Sequence, residues 1–77
     1  MQFDFSKLLG RIKECGFTQQ MLAKEIGMTK TTMNLKLNNK NKNAYFTAPE
    51  IEKIRRVLHI DIDEIGVYFF TPRVQEN

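Results

Sequence analysis

Residues that do chemistry are scarce in this sequence. Its 77 residues include one cysteine (Cys15), one histidine (His59), one serine (Ser6) and no tryptophan. A single cysteine excludes an intramolecular disulfide framework and any zinc site built on cysteines, and it suits a reducing cytoplasm. One histidine and one serine supply a nucleophile–base pair only by coincidence, so neither catalytic residues nor enzymatic activity are expected. A metal at His59 would need Asp61 and Asp63 as further ligands. Helix capping explains those acids more simply, so neither a metal nor a cofactor is expected. No charged-then-apolar segment opens the chain and no long apolar run crosses it, which argues against secretion and membrane contact.

Breakers are few too: two prolines and four glycines, with no repeat and no Ser/Gly-rich linker. With 42% hydrophobic residues the chain is too apolar for a disordered tail. The expectation is one domain over residues 1–77. Its core is small enough that stability, binding area or both are expected to draw on a second copy.

Charge is more informative when divided along the chain. The net charge is +3, yet residues 26–49 hold Lys30, Lys36, Lys40 and Lys42 with no acid at all, a sum of +4. Residues 1–25 sum to +1, and residues 50–65 to −2. The middle third is where a polyanion would be tolerated.

Helix punctuation is dense. Phe5, Leu8, Ile12 and Cys15 recur at spacings of three, four and three, and Gly16 supplies a stop. Thr18 caps a second helix that turns Leu22, Ala23 and Ile26 inward, and Gly27 ends it. Thr29 caps a third, with Met33 and Leu37 inside. Thr47 and Glu50 have capping-box spacing around Pro49, opening a fourth helix whose stripe is Ile51, Ile54 and Leu58. Asp61 to Glu64 reads as the N-cap of a short fifth helix running through Ile65, which Gly66 ends or loosens. Val67-Tyr68-Phe69-Phe70 is a β-prone run stopped by Thr71-Pro72, and residues 67–77 read as an apolar C-terminal extension. The fold class expected is all-α, a compact five-helix bundle.

Gln19, Ala23, Gly27, Met33 and Leu37-Asn38-Asn39 fall at the spacings of a helix-turn-helix. Ala23 is small where two helices cross, Gly27 makes the turn, and Ile26 and Met33 lock the pair. In these residues the sequence resembles the Cro/CI-type (XRE) family, and is most similar to small Cro-like repressors of phages. Asp4–Lys7 and Leu37–Lys40 are similar to segments of those proteins.

The resemblance implies a lambda-repressor-like DNA-binding domain with its third helix in the major groove of operator DNA. Lys30 would then donate to guanine, Asn34 would pair with adenine, and Thr31 and Leu35 would touch thymine methyls. Thr18, Gln19, Thr29, Lys36, Asn38, Asn39, Lys40, Lys42 and Asn43 would hold the phosphate backbone. Asn39 stands where the family usually has Gly, and Lys36 where it more often keeps Ile or Leu. Lys36 would lay its stem over the core and aim its amine at DNA. Lys40 to Asn43 form either a phosphate-grasping finger or a solvated loop.

Val67, Tyr68, Phe69 and Phe70 are candidates for a two-fold dimer contact, since three adjacent aromatics cannot all enter so small a core. A homodimer would set two recognition helices about 34 Å apart on a pseudo-palindromic operator. The function expected is therefore a sequence-specific repressor in a bacterial host's cytoplasm. The alternative is an antirepressor or modulator that binds another repressor protein through Tyr68–Phe70.

Overall fold

The computed structural model describes residues 3–38 and 45–73. Phe5, Leu8 and Ile12 form the buried stripe of α1 (Ser6–Glu14). α2 (Gln19–Glu25) and α3 (Lys30–Asn38) follow, each started by a threonine side chain. Thr18 Oγ1 accepts the Met21 N–H at 3.1 Å, and Thr29 Oγ1 accepts the Thr32 N–H at 3.1 Å. α4 (Ala48–Val57) opens on a complete capping box. The Glu50 N–H donates to Thr47 Oγ1 (3.3 Å), and the Thr47 N–H donates to Glu50 Oε1 (2.8 Å).

Three helices stop in the same way. After α1, the Gly16 N–H donates to the Lys13 carbonyl and the Phe17 N–H to that of Ile12. After α2, Gly27 and Met28 repeat the pattern on Lys24 and Ala23. After α4, His59 and Ile60 repeat it on Arg56 and Arg55. This pair of hydrogen bonds needs a left-handed residue at its centre. Gly16 and Gly27 supply it at φ +78°, and His59 at φ +55°. The next residue in each case, Phe17, Met28 or Ile60, then folds back onto the core.

The C-terminal part departs from expectation. Asp61 stands at the cap position, but its side chain makes no cap hydrogen bond; its carbonyl accepts the Glu64 N–H instead, closing a single 3-10 turn over Ile62–Glu64. α5 (Ile65–Phe69) continues directly through Gly66 and through most of the β-prone run. β-propensity expresses the fit of a side chain to a pleated, half-buried surface. Here the run meets no strand among the described residues. Helical spacing instead turns Ile65, Tyr68 and Phe69 together onto the core and leaves Val67 and Phe70 outside. The Thr71 hydroxyl donates to the Val67 carbonyl at 2.6 Å where the helix ends. The chain then runs beside its own beginning: the Asp4 N–H donates to the Thr71 carbonyl (2.7 Å), and Phe3 and Pro72 form an isolated antiparallel bridge.

Among the described residues the result is an all-α bundle of five α-helices and the 3-10 turn. α2 packs chiefly on α3 and also on α4, while α1 packs on α5. Leu8, Leu22, Met33, Ile54, Leu58 and Phe69 are its largest fully buried side chains. Phe46 meets Phe5 and Phe69 edge to face, with centroids 5.5 and 5.9 Å away, so the segment between α3 and α4 packs a ring against the start of α1 and the end of α5.

Candidate functional site

Because α3 buries Met33 and Leu37, its opposite side faces out. Lys30, Thr31, Asn34 and Leu35 are all exposed there and line one shallow depression of about 380 Å³. The four residues expected to read bases are thus brought together. Their chemistry is mixed: one cation, one hydroxyl, one amide and one apolar side chain. Asn38, also exposed, donates its amide N–H to Asn34 Oδ1 and so orients the Asn34 amide.

Lys36 leaves this surface, contrary to the expectation that it would reach for phosphate. Its stem lies over the core, its ammonium stands 2.6 Å from Glu50 Oε1 and 5.9 Å from the Phe46 ring centre, and its side chain is 13% exposed. Burial pushes the Glu50 carboxyl upward, but the Lys36 ammonium and the Thr47 N–H outweigh it and hold the group below the ordinary glutamate range. Lys40, Lys42, Asn39 and Asn43 lie outside the described residues. Within the described part of the acid-free stretch, Lys30 is therefore the cation that the fold leaves on the surface. The +4 counted along the sequence is not +4 on that face.

Thr29 spends its hydroxyl on the start of α3, accepting from the Thr32 N–H and donating to Thr32 Oγ1 at 2.9 Å. Thr18 likewise caps α2, with Gln19 half-buried beside it. Both border a groove between α1 and α2 that also contains Leu9, Gly10, Lys13 and Phe17.

The aromatic segment divides. Phe69, expected at a dimer contact, is 2% exposed and belongs to the core; Tyr68 is half-buried against it. Val67 and Phe70 are exposed at 41% and 50%. Phe70 meets Phe3 edge to face at 5.5 Å, so the exposed apolar patch includes a residue from the opposite end of the chain. Phe3 had no signal in the sequence, because nothing local says that residue 3 lies beside residue 70.

Arg11 was a second omission. Its Nε donates to the Leu58 carbonyl (2.9 Å) and an Nη to that of His59 (3.4 Å), closing the end of α4, while its other Nη binds Glu14 at 2.8 Å. The carboxylate holds the guanidinium charge firmly, raising its pKa further. No helix among the described residues is long and apolar enough to cross a membrane.

Comparison with known proteins adds three findings. No curated protein matches the chain. The modulator of repression (MOR) of the temperate bacteriophage TP901-1 from Lactococcus lactis, a structure solved in solution, is similar over 97% of both chains, at 36% identity and a TM-score of 0.73. A family model described as "Protein of unknown function (DUF739)" matches residues 1–72, which take in all five helices and the bridge that joins the two ends of the chain. The chain belongs to the DUF739 family.

Proposed function

We propose that the chain is a phage modulator of repression that acts by binding another repressor protein. The observation that carries this is its similarity to the phage TP901-1 modulator along nearly the whole of both chains. The surface chemistry supports it. With Lys36 bound to Glu50, the outward face of α3 is as apolar as it is basic, a composition better suited to a protein partner than to a phosphate backbone. Phe70 and Val67, backed by Phe3, offer an apolar docking patch, narrowed from the Tyr68–Phe70 segment that the sequence suggests.

The test mixes the purified chain with the repressor of the same phage genome and follows complex formation by calorimetry. Gel shifts on operator DNA run in parallel with each protein alone and with both. The expected result is a stoichiometric complex and a repressor shift that changes when the chain is added. Absence of a complex overturns the proposal.

A second reading, direct operator binding, is favoured by one observation: Lys30, Thr31, Asn34 and Leu35 share a single exposed depression on α3. In that reading the chain by itself shifts its own upstream DNA in the presence of excess non-specific duplex.

A further inference from the structure

We propose that the groove between α1 and the start of α2 receives an acidic, apolar segment of the partner protein. That segment would insert an aromatic or large aliphatic side chain and set a carboxylate against Lys13. This rests on the modulator reading only in that the segment is taken to belong to the repressor.

The groove encloses about 570 Å³, within the range of roughly 300–1,000 Å³ that accommodates a bound group. Leu9 and Phe17 give it apolar walls, and both are half-buried with their remaining surface available. Phe17 is held there by the stop of α1, where its N–H donates to the Ile12 carbonyl at 3.0 Å. Among the described residues Lys13 is the one ionisable side chain of the lining, so the charge that complements the site is negative.

Gly10 is the informative residue. It stands in the middle of α1, where glycine is disfavoured relative to alanine because it has more backbone freedom to lose. Its φ is not in the left-handed region, and a Cβ added to it would meet nothing within 4 Å. Neither backbone conformation nor packing therefore requires glycine at this position. What the missing side chain does is leave the wall of the groove open. DNA is a poor occupant, because one lysine beside an apolar wall matches a single phosphate and leaves the wall unused. A peptide with an apolar side chain next to an acid uses both.

Gly10→Trp fills the groove from a position where the fold has room, and Lys13→Glu reverses its charge. Each is titrated with the repressor, and its urea unfolding midpoint is measured alongside. Expected are a loss of binding of tenfold or more for Gly10→Trp and about fivefold for Lys13→Glu, with the midpoint of Gly10→Trp no lower than wild type and that of Lys13→Glu lower only by the small cost of an anion in the last turn of α1. Wild-type affinity in both variants overturns the groove and leaves the modulator reading intact. If Gly10→Trp does not fold, Lys13→Glu decides alone by the same criterion. If the wild-type chain does not bind the repressor, the modulator reading falls, and the groove is judged with 3-phenylpropionate in amide chemical-shift titrations. Shifts at Gly10 and Phe17 that weaken with neutral 3-phenylpropanamide support it; no shift at either amide overturns it.

Discussion

Lys36 Nζ lies 2.6 Å from Glu50 Oε1, which ties the last turn of α3 to the first turn of α4. The same carboxylate accepts the Thr47 N–H and so completes the capping box of α4. One side chain therefore serves a helix start and an ion pair to the preceding helix. It also removes a lysine from the face that sequence reasoning assigns to DNA.

Glu50 should accordingly matter more than Lys36. Glu50→Gln weakens the ion pair and the cap together and is expected to cost about 1–2 kcal/mol. Lys36→Met keeps the apolar stem and the cap but leaves the Glu50 carboxylate with the Thr47 N–H alone, and should cost less than Glu50→Gln, about 1 kcal/mol. Urea unfolding at neutral pH gives both values. Glu50 has a lowered pKa in the folded chain, so its contribution is complete above its unfolded pKa and is lost as pH falls through the folded one. The difference between wild type and Glu50→Gln should shrink over that acid range, and a difference independent of pH would contradict the assignment.

His59 does the work of a glycine at φ +55°. Relief of the left-handed strain should outweigh the greater freedom of the unfolded glycine chain, so His59→Gly is expected to stabilise the chain by up to about 1 kcal/mol. Gly27→Ala, at φ +78°, should destabilise it by about 1 kcal/mol or more. Thermal melts of the two variants, read against wild type, should move in opposite directions.

Arg11 ties α1 to the Leu58 and His59 carbonyls, just past the end of α4, with two donors of one planar group. Arg11→Met keeps much of the stem and leaves the Leu58 and His59 carbonyls without these donors, at an expected cost of about 1–3 kcal/mol. Arg11→Lys should recover less than half of that, because a point charge cannot serve both carbonyls in the same geometry. Amide hydrogen exchange at Ile60 is expected to accelerate in both variants.

Phe69 and Phe70 are neighbours with opposite roles. Phe69→Ala empties a fully buried site and should cost about 3–5 kcal/mol, a large share of the stability of so small a bundle. Phe70→Ala, half exposed, should cost about 1 kcal/mol or less. Its larger effect is expected on repressor binding, where truncating an aromatic that serves as a central anchor costs about 2 kcal/mol or more. Chemical denaturation and calorimetry on the same two proteins separate the roles.

What the sequence made legible was local. The threonine caps at 18, 29 and 47 and the stops at Gly16 and Gly27 involve partners within a few residues, and each stands where the pattern placed it. The inner faces of α1 to α4 followed from helical spacing, and so did the outward quartet on α3. The failures were of two kinds. Val67–Phe70 carries β-prone residues at helical spacing, and packing against the core decided in favour of spacing. The partners of Lys36, Arg11 and Phe70 stand 14, 47 and 67 residues away, and no local pattern names them. The choice between repressor and modulator was illegible for a further reason: it depends on which outer side chains a partner meets, and the buried pattern leaves those free to vary.

The most direct measurement follows fluorescence anisotropy of labelled operator DNA bound by the same phage's repressor while the chain is titrated in. The repressor–DNA signal is expected to change at stoichiometric chain, with the chain alone giving no sequence-specific signal in the presence of excess non-specific duplex. Tight, sequence-specific binding by the chain alone, with the repressor's behaviour unaltered, would contradict the modulator reading.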